Sequence, residues 1–340
     1  MFKEFGLSRV LVYMLLSIFF VSCAPYDDEL PPNNSSLTFG IRHDLSLSTY
    51  NAIGQNAAPF NTADYPDFSP VISFTYTLNG KKSGEYVASG TVVAPGWILT
   101  AGHNFYVAEE QNAPAPPSGI TINLGHDPNA PNMEYEVEKL VFHPTWLQDN
   151  SDFVYANDLC LVKVKGNITG VTPAIINYEE VETIGSKVWY SGFGDYSQHF
   201  GEDPDLYSVR HAFENILDRK STGINTFINN ITYVGGLLGF DFDAPDGSIN
   251  TLGDDYSNSD EDLLGPGTSD AMALPYEATT VEGDSGGPIF MKINGQWKVV
   301  GVLSGGVEDP VADFSDSSYG DISVFIRTSS HANWLKSVIK

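Results

Sequence analysis

Three short segments of the 340-residue chain hold residue types that can do covalent chemistry. Trp97-Ile98-Leu99-Thr100-Ala101-Gly102-His103 is an apolar run that passes through small residues and ends on a histidine. Asp158 stands at the mouth of a second apolar run, Leu159 to Val164. Glu282-Gly283-Asp284-Ser285-Gly286-Gly287-Pro288 sets a serine among glycines, which allow a tight backbone and close approach of a ligand. A serine hydroxyl is a poor nucleophile at neutral pH and needs a base to take its proton. Histidine can be that base, and a buried carboxylate can fix its tautomer. Asp149 and Asp152 compete with Asp158, but neither precedes a sustained apolar strand. The other histidines (His43, His126, His143, His199, His211 and His331) show no metal-ligand spacing. Asp241, Asp243, Asp246 and Gly247 hint at a calcium loop, but the spacing is off by one from an EF-hand and no final glutamate follows.

The elements that must position these residues read as strands. Strand-like runs cover Val71–Leu78, Tyr86–Val93, Trp97–Thr100, Ile120–Leu124, Leu159–Val164, Lys187–Ser191, Pro288–Lys292, Trp297–Leu303 and Ile322–Arg327. Asn79-Gly80, Pro95-Gly96 and Asn294-Gly295 punctuate them as turns. Trp334, Leu335, Val338 and Ile339 have helical spacing, which predicts a short helix over Ser329–Lys340. Glu109–Gly119 and the acidic, Gly/Ser-rich stretch Asp241–Asp270 read as surface insertions. Cys160 alternates with Val162 and Val164 on one strand face and reads as a buried, inert thiol.

Composition narrows the class. Apolar residues make up 42%, enough for a sizeable core. The net charge of −26 excludes nucleic-acid binding through a general electrostatic field, because the phosphate backbone would be repelled. Lys3 and Arg9 precede an apolar run, Val10 to Val21, that fits a secretory signal over residues 1–22 and is short for a membrane span. Ser22-Cys23 at its end resembles the bacterial lipoprotein signal, which would make Cys23 the acylated first residue. Residues 23–36 read as a flexible acidic linker, and 37–340 as one domain. With Cys23 lipidated, Cys160 has no partner for an intrachain disulfide.

In order and motif, the three segments resemble the trypsin/chymotrypsin-like serine proteases, which run His…Asp…Ser along the chain. Gly283 to Pro288 matches the family's Gly-Asp-Ser-Gly-Gly-Pro completely, and Thr100 to His103 departs from Thr-Ala-Ala-His only at Gly102. Ser191-Gly192-Phe193-Gly194 resembles Ser-Gly-Trp-Gly, and Val302 to Gly306 resembles the substrate-pairing strand. Val324-Phe325-Ile326-Arg327 resembles the Val-Tyr-x-Arg strand, and Asn333-Trp334 the pair that opens the terminal helix. The resemblance implies an all-β fold of two packed six-stranded antiparallel barrels, the first over about 60–180 and the second over about 181–328, with the site between them. It implies a cofactor-free endopeptidase acting on protein or peptide substrates through an acyl-enzyme. His103, Asp158 and Ser285 would be catalytic, and the N–H groups of Gly283 and Ser285 would form the oxyanion hole.

Pocket and activation follow from the same resemblance. Thr279, six residues before Ser285, would lie at the base of the primary pocket, with Gly306 and Ser323 on its walls and Ser304, Gly305 and Gly306 pairing with substrate backbone. A neutral Thr279 disfavours cleavage after Arg or Lys. The positions of a common family disulfide hold Ala88 and Asn104 instead. Asp284 would pair with an amino terminus freed by an activating protease somewhere in Ile53–Phe60; without such a cut it needs another partner. Two alternatives remain: a catalytically silent, protease-like surface binding protein, and a serine esterase. The expected place of action is outside the cytoplasm, on an outer membrane or cell surface through a lipid at Cys23, or secreted.

Overall fold

The structure is a computed structural model that describes residues 39–76, 86–108, 111–147, 156–196, 209–228, 230–253, 263–307 and 317–339. The leader, the linker with Cys23, the Asn79-Gly80 turn, Asp149, Asp152 and His199 lie outside the described residues.

Six strands close into a barrel. They are β1 (Val71–Tyr76), β2 (Tyr86–Ala94), β3 (Trp97–Thr100), β4 (Ile120–Leu124), β5 (Met133–Phe142) and β6 (Cys160–Val164), in the order β1-β2-β3-β6-β5-β4. Period-2 alternation explains its filling, since successive side chains in a strand face opposite ways. Ile72, Phe74, Ile98, Ile122, Val162 and Val164 all point into one buried cluster.

A second sheet of seven strands follows. It comprises β7 (Lys187–Gly192), β8 (His211–Ile216), β9 (Arg219–Lys220), β12 (Leu237–Asp241), β13 (Pro288–Ile293), β14 (Gln296–Val307) and β15 (Ile322–Arg327), ordered β8-β7-β13-β14-β15-β12-β9. The chain is therefore all-β with two sheet lobes, as expected. The second lobe differs from a six-stranded barrel in gaining the two-residue β9 beside β12. Between them, β10 (Ile224–Ile228) and β11 (Ile231–Gly235) form a separate hairpin. A 3-10 turn over Ser329–His331 leads into α2 (Ala332–Val338).

A further apolar cluster joins the lobes. Trp97, Leu99, Leu159 and Leu161 come from the barrel, Leu237, Val302, Val324 and Ile326 from the sheet, and Leu335 from α2. Each such buried aliphatic side chain contributes roughly 1.5–3 kcal/mol. The cluster thus fixes the ends of β3, β6 and β14 against one another, which is where the candidate site residues sit.

In Ile53–Phe60, helix α1 (Leu47–Gly54) ends within the segment; Ile53 is fully buried and Phe60 packs in the same cluster as Phe68 and Trp189, while Gln55, Ala58 and Pro59 between them are exposed. Arg210, itself buried, donates to the carbonyls of Gly54, Val71 and Gly125 and so locks this segment to the barrel. Two expectations need correction. Asp241–Asp270 is not a plain surface insertion, because Asp241 ends β12 and Phe242, Asp243, Thr251, Leu252 and Leu264 are buried. In Glu109–Gly119, Gln111 and Ala115 are buried likewise.

Candidate active site

Strand register brings His103 to Asp158. Thr100, the last residue of β3, pairs with Cys160, the first of β6. His103 lies three residues beyond one and Asp158 two before the other, so both fall at the same end of the barrel. His103 Nδ1 is 2.6 Å from Asp158 Oδ2, and the His103 main-chain N–H donates to Asp158 Oδ1 at 2.8 Å. A carboxylate at Nδ1 keeps the proton there and leaves Nε2 as an acceptor. Ser285 Oγ stands 2.8 Å from that Nε2. Asp158 is buried, while His103 keeps 26% of its side-chain surface exposed. The carboxylate is thus screened from water while the imidazole stays open to a substrate.

Ser304, expected to pair with substrate backbone, reaches the Asp158 carboxylate instead through its side chain. A register shift between Leu303 and Gly305 leaves Ser304 as the extra residue of a bulge in β14. Bulges re-aim side chains. Here the hydroxyl donates to Asp158 Oδ2 at 2.7 Å, the third hydrogen bond that this carboxylate accepts. Gly305 and Gly306 continue along the strand, with Gly306 paired to Ser323.

The peptide groups around Ser285 are held from behind. In a trans peptide the N–H and the preceding C=O point in opposite directions. Glu282 O accepts from Asp195 N–H at 2.9 Å, which turns the Gly283 N–H the other way. Asp284 O accepts from Tyr190 OH at 2.7 Å and from Gly287 N–H at 2.8 Å, which does the same for the Ser285 N–H. Gly283 has a φ of +90°, a conformation that favours glycine. Ser89 Oγ donates to Gly283 O, Ser89 N–H donates to Ser285 O, and Asn104 Nδ2 donates to Ser285 O at 3.0 Å. Sequence reasoning missed Ser89, Tyr190 and Asp195. Asn104 was visible only as a missing cysteine.

The candidate pocket base is tied off by hydroxyls. Thr279 Oγ1 is 3.1 Å from Ser323 Oγ, which lies 2.9 Å from Thr280 Oγ1. Thr279 and Ser323 are both buried. Thr279 N–H donates to Gly40 O, and Ile41 bridges to Ala278, so the chain's Phe39–Ile41 run backs this base.

Behind it lies a set of buried carboxyls. Burial, aided by the nearby Asp241 carboxylate, pushes Asp218 up to about 9 and Asp243 up to about 10, and burial pushes Glu277 up to about 8. Glu277 accepts from the N–H groups of Asp243 and Leu274. Among the described residues no group of three or more His, Cys, Asp or Glu is arranged to hold a metal ion. Cys160 is fully buried and burial pushes its thiol up, so the inert reading agrees with its surroundings.

A two-lobed all-β fold with a serine, an imidazole and a carboxylate in series at the lobes' junction defines a class of hydrolase folds. Residues 67–231 match the family described as Trypsin, a span that includes His103 and Asp158 and ends before Ser285. The match supports placing residues 67–231 in the trypsin/chymotrypsin-like family of serine proteases.

Proposed function

We propose that this chain is a serine endopeptidase that hydrolyses peptide bonds in protein substrates through an acyl-enzyme. The observation that carries the reading is the continuous series Ser285 Oγ to His103 Nε2 at 2.8 Å and His103 Nδ1 to Asp158 Oδ2 at 2.6 Å. Ser285 Oγ attacks the scissile carbonyl carbon as His103 Nε2 takes its proton. Asp158 stabilises the resulting imidazolium. The N–H groups of Gly283 and Ser285 bind the oxyanion, and one such donor typically accounts for about 100- to 1000-fold in rate. His103 then gives its proton to the leaving amine. Water repeats the sequence on the acyl-enzyme, and no cofactor enters.

The residue before the scissile bond is non-basic. The hydroxyls of Thr279 and Ser323 at the pocket base carry no charge to pair with Lys or Arg. Backbone groups of Ser304, Gly305 and Gly306 pair with an extended peptide, which favours peptide over simple ester substrates. The enzyme acts outside the cytoplasm, tethered through a lipid at Cys23; the Ser22-Cys23 pattern after the apolar run supports this.

Labelling the full chain with a fluorophosphonate, beside its Ser285→Ala counterpart, tests the reading. Labelling lost only in the variant supports it. Silence of both proteins, before and after limited proteolysis, overturns it in favour of a protease-like binding protein. A peptide-library digest reads the pocket; dominant cleavage after Arg or Lys would refute the non-basic assignment.

A further inference from the structure

The Asp284 carboxylate lies wholly buried beneath the oxyanion loop, and its oxygens are already engaged from inside the fold. Gly194 N–H donates to Oδ1 at 2.9 Å. Val281 N–H donates to Oδ2 at 3.1 Å. Tyr196 OH shares its one proton between Oδ2, at 2.7 Å, and Thr279 O, at 2.8 Å. His211 Nε2 fills the remaining side at 3.1 Å from Oδ1, out of line for a hydrogen bond. A carboxylate has about four lone-pair directions. Three donors and one imidazole occupy them.

The surrounding glycines have the same cause. A Cβ at Gly192 would run into Asp284 Oδ1, and one at Gly194 would stand 2.6 Å from the Asp284 carboxyl carbon. A Cβ at Gly40 would stand 2.5 Å from the Tyr196 ring. The cradle is therefore closed on the side where Phe39–Ile41 passes.

We infer that the turn Gly194-Asp195-Tyr196 does the work of a freed amino terminus, so that the oxyanion hole forms in the uncut chain, with Tyr196 as its positioning residue. The inference rests on the protease reading above. Its logic is geometric. Three consecutive residues grip the loop at two points: Gly194 and Tyr196 hold the Asp284 carboxylate, and Asp195 N–H holds the Glu282 carbonyl whose peptide carries the Gly283 N–H. Tyr196 is fully buried, and burial next to the Asp284 carboxylate pushes its hydroxyl well above the usual range, so it remains a donor.

The test uses the full chain with its amino groups blocked by cyanate, and a small fluorophosphonate that probes Ser285 and the oxyanion hole without filling the pocket. Mass spectrometry of the labelled species reports its amino terminus. The expected result is labelling of intact, carbamylated chain at the untreated rate. Tyr196→Phe keeps the ring and removes the proton; its labelling should slow by about tenfold or more, toward the effect of losing an oxyanion donor, with a thermal midpoint close to the parent's. If intact chain stays silent and labels only after limited proteolysis, or if carbamylation of an otherwise active protein abolishes labelling, the inference is overturned and the protease reading stands. Tyr196→Phe labelling at the parent rate would also overturn it. Silence under every condition removes the protease reading and the inference together. Should Tyr196→Phe not fold, the carbamylation arm decides alone.

Discussion

Asn104 Nδ2 lies 3.0 Å from the carbonyl oxygen of Ser285 and 3.0 Å from Thr100 Oγ1. The amide thus ties the residue next to His103 both to the end of β3 and to the carbonyl of Ser285. Here a side-chain amide performs the tethering, beside Ser89 N–H on the same Ser285 carbonyl. Asn104→Leu should therefore slow turnover by about fivefold and destabilise the fold by about 1 kcal/mol, the usual net worth of one hydrogen bond. Steady-state kinetics and a denaturant titration check this; unchanged values in both would mean that Ser89 suffices.

Ser304→Ala removes one of three donors to Asp158 and leaves the β14 backbone intact. The expected outcome is a loss in kcat/KM of about tenfold, near 1.4 kcal/mol, carried mostly by kcat. A change confined to KM would instead assign Ser304 to substrate contact alone.

Gly102 explains the one departure in the histidine motif. A Cβ there would stand 2.7 Å from the indole of Trp146, which donates through Nε1 to Tyr106 O. Gly102→Ala is expected to cost about 1–3 kcal/mol from overpacking. Trp146→Phe should recover part of that loss in the double variant. Additive effects in a thermal-unfolding cycle would contradict the contact.

The buried carboxyls make stability fall as pH rises. Asp243 titrates near 10 in the fold and near 4 when unfolded, so between these values the native state holds a proton that the unfolded chain has lost. That costs about 1.4 kcal/mol per pH unit. Asp243→Asn keeps the shape without the proton, so its advantage in thermal midpoint should grow from pH 5.5 to pH 8.5. An advantage equal at both pH values would refute the assignment.

His143 and His331 act in the opposite direction. Their rings meet at 3.2 Å between Nε2 and Nδ1, and His331 Nε2 donates to Ala156 O, two residues before Asp158. Burial lowers His331 to about 4 and, with His331 alongside, His143 to about 2. Below about pH 6.5 the unfolded chain gains protons that the native pair refuses, so stability falls with falling pH. In His143→Gln the dependence between pH 6.5 and 4.5 should flatten by about 1.4 kcal/mol per pH unit relative to the parent.

Much of the site was legible because its chemistry depends on local runs. Val71–Leu78, Trp97–Thr100 and Ile322–Arg327 read as strands because they are short apolar runs, and the strands observed at Val71–Tyr76, Trp97–Thr100 and Ile322–Arg327 are almost wholly buried. Strand β5 escaped because most of Met133–Phe142 is exposed or half-buried, with four charged residues, so the sequence shows little apolar alternation. Helix α1 escaped because Leu47–Gly54 carries only Tyr50, Ile53 and Gly54 into the core. The Asp284 cradle was illegible for a different reason. Its donors come from Gly194, Tyr196 and Val281, and only the folded sheet sets the first two, some 90 residues upstream, against Asp284.

Cys160 is sealed inside the barrel and is the one cysteine among the described residues. Folding of the described domain thus includes no thiol exchange step and draws on no oxidant. A reducing medium leaves its covalent structure unchanged, and so does an oxidising one.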